Sequence, residues 1–176
     1  MAGSKGVVGG ILLIIAGSFL VLVGLVPGIP AYDILGYKSF LYEKWLIYFF
    51  QFRWINIIDY SIRNFTMNFL QGMIGILALA GIMCLFMAMI FFIMGGILAF
   101  GTYDNKADMG ITAVILFIIS VATNICQIII GTSIFTGIFD FLRPSAGSVI
   151  LVFIDTTAII VLILGIIGAA QTKADT

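Results

Sequence analysis

Four long stretches of this sequence carry either no charged residue or just one. Val7–Val26, Phe69–Phe100 and Ile111–Phe139 have none, and Val149–Ala170 has only Asp155. A hydrocarbon layer about 30 Å thick is crossed by about 20 apolar residues in a helix. Only helices and closed barrels satisfy their backbone polar groups without water. Each run is long enough for a spanning helix and far longer than a barrel strand. The expected fold is therefore an all-α integral membrane protein, with a four-transmembrane-helix bundle formed by residues 7–26, 69–100, 111–139 and 149–170 in one membrane domain. The second run has 32 residues, or about 48 Å of helix at 1.5 Å per residue. It must tilt or project beyond the bilayer.

Composition agrees with this reading. Hydrophobic residues make up 62% of the 176 and charged residues 9%, against roughly 45–50% and about 25% in soluble domains. Eight acids and eight bases could not solvate a globular surface of this size. The connections read as breaks between helices. Pro27-Gly28-Ile29-Pro30 stops the first run, Gly101–Asp108 is a short polar turn, and Arg143-Pro144-Ser145-Ala146-Gly147-Ser148 separates the last two runs. The first run is longer than a signal-peptide core and no small-x-small site follows it, so it is read as a retained helix.

Several functions are excluded at this level. The chain has no histidine, which removes histidine-ligated metals and histidine acid–base chemistry. Its net charge is zero, so it offers no basic footprint for nucleic acid. Cys84 and Cys126 sit in different apolar runs and read as small buried residues. Met83 and Met87 form an M-x-x-x-M beside Cys84, a spacing that resembles the Cu(I) motif of Ctr-class copper transporters. The likeness ends at the motif, and core filling is the favoured reading. Asp104, Lys106 and Asp108 read as a solvated turn. No nucleophile–base pair, phosphate loop or paired carboxylate appears. The expectation is a non-enzyme without cofactor or metal.

Residues 31–68 are not an ordinary loop. They hold both tryptophans, Trp45 and Trp54, and five of the six tyrosines, residue types that gather at the membrane–water interface. Between Phe52 and Phe65, Arg53, Asn56, Asp59 and Arg63 share one helical face. Trp54, Ile57, Ile58, Ile62 and Phe65 fall mainly on the other. The pattern predicts an amphipathic helix lying in the interface, with Asp59 and Arg63 as an i,i+4 ion pair. Trp45, Trp54, Arg53, Asp59 and Arg63 are the candidate interfacial or partner-docking residues.

Two further patterns carry packing and polarity. Gly3, Gly10, Gly17 and Gly24 recur every seven residues in the first run, and Gly81 and Gly95 stand in the second. Small residues allow helix backbones to touch in lipid, so Gly10, Gly17, Gly24, Gly81 and Gly95 are candidate packing positions, within the bundle or against another subunit. On the third run Ser120, Thr123, Asn124 and Gln127 share a face. Folding the last two runs as a hairpin brings Asp155 level with Gln127. Asp155, Asn124, Gln127 and Thr123 form a candidate intramembrane polar site. A lone buried acid is costly in lipid and marks a functional candidate, with structural hydrogen bonding as its plainer role.

In outline the layout resembles the tetraspan class, which includes claudin-like and MARVEL proteins. The claudin first-loop tryptophans and cysteine pair are absent, so no extracellular sheet is implied. The expected function is a structural or accessory subunit of a membrane assembly, with lipid and other membrane subunits or a second copy as partners. The alternative is a small transporter or channel built around Asp155. A positive-inside count places the first loop in the cytoplasm, whereas Asn64-Phe65-Thr66 matches a glycosylation acceptor that would place it outside. The adopted expectation is cytoplasmic termini.

Overall fold

The computed structural model describes residues 3–25, 45–52, 69–101, 103, 105–136 and 156–175, together with 55, 58, 59, 61–63 and 65. All the elements among them are helices. They are α1 (Ser4–Leu25), the short α2 (Trp45–Phe50), α3 (Phe69–Leu98), α4 (Lys106–Thr136) and α5 (Thr156–Lys173). Three stretches are long and apolar enough to cross a membrane: Ser4–Leu25, Gly75–Leu98 and Lys106–Thr123. A shorter apolar helix covers Ala158–Lys173.

The helix boundaries differ modestly from those expected. α4 starts at Lys106, not Ile111, because the turn after α3 closes early. Phe100 and Gly101 donate their N–H groups to Ile97 and Leu98, and Met109 already donates to the Asn105 carbonyl. Asp108 then sits in the first turn of α4, where a carboxylate favours the helix dipole. α5 runs three residues past Ala170, and its last turn ends with Ala174 donating to Ala170. The Pro27–Pro30 and Arg143–Ser148 breaks lie outside the described residues.

The long helices share one core. α3 and α4 form an antiparallel hairpin, and α1 packs against α3 on one side and α5 on the other. α5 returns to α4 and completes a ring of four. Leu13 and Leu20 of α1, Leu85 and Phe92 of α3, Phe117 of α4 and Val161 of α5 are fully buried in the core. The Phe92 and Phe117 rings meet edge to face with centroids 6.4 Å apart.

Glycine sets the spacing of the ring. A Cβ on Gly9 would lie 2.6 Å from the Gly168 carbonyl oxygen of α5. One on Gly10 would lie 2.7 Å from the Gly96 carbonyl oxygen of α3. Neighbouring residues on a helix point about 100° apart, so these two adjacent glycines admit two different helices. Gly17 meets Phe92 and Ile93, and Gly95 meets Met109 and Gly110. Gly81 faces Ser120 and Thr123, and Gly24 is buried. These contacts all lie between helices of the same chain.

Alanine normally favours a helix over glycine by about 1 kcal/mol. At Gly9 and Gly10 the obstacle is backbone, which cannot rotate away, and overpacking costs about 1–3 kcal/mol. Gly9→Ala and Gly10→Ala should therefore lower the thermal midpoint in detergent. Gly81→Ala meets only the Thr123 hydroxyl at 2.8 Å, which can turn aside, and should lower it less.

Candidate functional site

Three places carry polar or exposed groups that could do something beyond filling space. The first lies where the chain ends meet. Lys106 opens α4, and Asp175 follows α5 by two residues. The Lys106 ammonium donates to Asp175 Oδ2 at 2.9 Å, with the two side chains only 4% and 12% exposed. The same carboxylate oxygen accepts the Gly3 N–H at 3.0 Å. Any Cβ on Gly3 or Gly6 would collide with Asp175, so these glycines make room for the carboxylate at the start of α1. The arrangement satisfies α1 amide groups that have no helical partner and places an anion at the positive end of the helix. The Lys106 hydrogen bond, assisted by the Gly3 and Gly6 amides and against the opposing effect of burial, holds the Asp175 carboxyl below its usual range. This corrects the reading of Lys106 as part of a solvated turn. Its partner is 69 residues away, whereas Asp108 is exposed.

The second place is the polar face of α4. Ser120 is fully buried and donates to the Gly81 carbonyl of α3 at 2.9 Å. Thr123 donates back to the Ser120 carbonyl at 2.8 Å. Both hydroxyls thus bond backbone carbonyls at the α3–α4 contact. The side chains of Asn124 and Gln127, and the whole of Asp155, lie outside the described residues. The structure assigns Thr123 a local bond; the rest of the proposed polar site lies outside the described residues. Cys126 is exposed on α4, not buried as expected, and Cys84 is half-buried.

The third place is the aromatic first connection. Leu46 is buried in the core, and the Phe49 ring stacks on Phe86 of α3 with centroids 4.2 Å apart. Farther along, Ser61 meets Gly75 and Phe65 meets Gly72. Each step forward here matches a step backward on α3, so the segment runs antiparallel along α3. Ser61 is buried and Ile58 half-buried, while Ile55, Ile62 and Phe65 are exposed. A helix that faces lipid need not hide isoleucine, and Ser61 fits the bare Gly75 backbone.

Asp59 and Arg63 form the predicted i,i+4 pair at 3.0 Å, with both side chains exposed. The register places them beside Leu77 and Met73 of α3. From Leu77 to Leu98 α3 rises about 32 Å, close to the thickness of a hydrocarbon core. One charged level is thus set by Asp59 and Arg63, the other by Lys106, Asp175 and Lys173. Trp54, Arg53 and the Trp45 side chain lie outside the described residues. Among the described residues no group of three metal-ligating side chains occurs.

The chain matches no family model, no curated protein and no solved structure.

The charged knot predicts a pH dependence. A carboxyl with a lowered folded-state pKa binds its proton later than in the unfolded chain as pH falls. Its stabilisation is full above the ordinary value of 3.8 and is lost as pH drops through the lower folded value. The gap in thermal midpoint between the wild type and Asp175→Asn should be constant at higher pH and close only below that point. A gap that closes near neutral pH would contradict the assignment.

Proposed function

We propose that this chain is a non-catalytic structural or accessory subunit of a membrane assembly, a four-span bundle whose first connection carries the docking surface. Support for α5 as the fourth span comes from its place in the ring and from the apolar run that leads into it from Val149. The Gly3–Asp175 hydrogen bond joins the start of α1 to the end of α5, which fits an even number of spans.

The observation that carries the docking reading is Phe52. Its φ is 54°, in the left-handed region where glycine is at ease and a large side chain costs about 1–2 kcal/mol. Its N–H bonds the Phe49 carbonyl and its own carbonyl accepts from Ile55, so it turns the chain between α2 and the following helical residues. Yet its ring is 62% exposed. Phe52 thus holds a strained turn with much of its surface outward, and this supports docking at the connection. Phe50, Ile55 and Ile62 are exposed on the same connection, and aromatic anchors dominate many interfaces.

The glycines support the same division of labour. Gly10, Gly17, Gly81 and Gly95 are covered by helices of the chain itself, so they serve the bundle and leave docking to the connection.

Phe52→Gly separates the two roles. In the isolated chain it should raise stability by about 1 kcal/mol. In the native membrane it should weaken recovery of the assembly, measured by gentle extraction and native mass analysis. Trp45 and Trp54 variants should also impair assembly, while Asp155→Asn is tolerated. A clean monomer, with ion or solute flux lost in Asp155→Asn, would replace this reading with the transporter.

A further inference from the structure

Lys106 and Asp175 form a buried ion pair that docking at the first connection leaves unused. Lys106 stands against its local electrostatics. It opens α4, where the helix dipole disfavours a cation, and it is only 4% exposed. The start of α1 adds a second positive helix end, whose Gly3 N–H donates to the same carboxylate. Lys5 of α1, Lys173 of α5 and Asp108 of α4 are exposed. One carboxylate, that of Asp175, thus offsets a buried ammonium and two helix N-termini. Below the knot the helices meet through backbone. Gly9 and Gly10 lie against the carbonyls of Gly168 and Gly96, about 10 Å along the helix from Gly3.

We propose that Asp175 is the latch of a conformational switch at this end of the bundle. With the carboxylate in place the end is closed. With its charge removed, Lys106 turns outward, the first turn of α1 and the last turn of α5 part from α4, and the opening stops at Gly9 and Gly10. The cause is the asymmetry of a buried pair. Losing one partner leaves an uncompensated buried charge, whereas losing both leaves none. A lysine at a helix start can carry its charge to water while its stem stays on apolar surface. Two features confine the movement. Asp175 lies two residues beyond α5, so it can leave without unwinding that helix. The contacts below are glycine against backbone carbonyl and carry no ionic charge, so they hold whether Asp175 is in or out.

The latch acts whether or not a partner occupies the connection. The test compares burial beside and below it in the full chain, purified in detergent with Cys84 and Cys126 replaced by alanine. Ala107→Cys reports the end, since Ala107 is 6% exposed and adjoins Lys106. Ala113→Cys reports the core about 9 Å deeper along α4, where Ala113 is fully buried. Each is followed by its rate of reaction with N-ethylmaleimide. Asp175→Asn should speed labelling of Ala107→Cys by about tenfold or more and leave Ala113→Cys slow. Adding Lys106→Met to Asp175→Asn should return Ala107→Cys to the slow rate, because no buried charge remains. Unchanged labelling of Ala107→Cys in Asp175→Asn overturns the latch. Equal acceleration at both cysteines overturns it as well, since the whole fold would then have loosened. So does fast labelling that persists with Lys106→Met, because packing around Asp175 and not its charge would then close the end.

Discussion

The bundle depends on one close approach, that of the α1 backbone to two neighbours at Gly9 and Gly10. Lipid tails are as apolar as leucine, so burial alone does not drive helices together in a bilayer. Association rests on dispersion, which decays steeply with small gaps, and hence on how closely backbones can approach. Two adjacent glycines let α1 reach the carbonyls of Gly168 and Gly96 at one level. With α1 drawn in, Leu13 reaches Gly110 and Gly168 and fills the space among three helices. Phe92 then spans the centre, its ring against Gly165 of α5. Large side chains in this core occupy places that glycines elsewhere leave open.

Polar groups in the bundle follow the same economy of space. Ser120 bonds the carbonyl of Gly81, and Thr172 bonds those of Gly168 and Ala169. In each case a small hydroxyl meets a backbone carbonyl at or beside a glycine contact. The Asp175 carboxylate is the charged version, seated against Gly3 and Gly6 and neutralised by Lys106. A buried ion pair gives modest net stability but a strong penalty for mispairing. At the junction of α1, α4 and α5 it therefore defines which helix ends belong together.

Much of this was legible in residue spacing, and the exceptions have physical causes. The seven-residue glycine period includes Gly10 and Gly17, which lie against α3. It passed over Gly9, because a period describes one contact line and α1 has two. The α4 hydroxyl face was visible, but not that its Ser120–Thr123 part serves the α3 contact. Lys106 with Asp175 could not be read at all, since nothing local distinguishes a turn lysine in water from one paired across the fold. The Asp59–Arg63 pair was readable because it is local. The placement of its segment along α3 was not, since it rests on contacts such as Ser61 with Gly75 that join distant parts of the chain.

The rule that apolar faces turn inward fails wherever lipid replaces water. Isoleucine outward and serine inward, as at Ile62 and Ser61, is unfavourable in water and costs little in a bilayer. Hydropathy then cannot separate core from surface. What remains informative is departure from a uniform lipid-facing surface: charge, strain or concavity. Phe52 departs by its backbone angle, the Asp59–Arg63 pair by charge, and the opening beside Val114 and Ala169 between α4 and α5 by its shape. The first two fall on the same connection at different heights along α3, so strain and charge mark that segment where hydropathy does not.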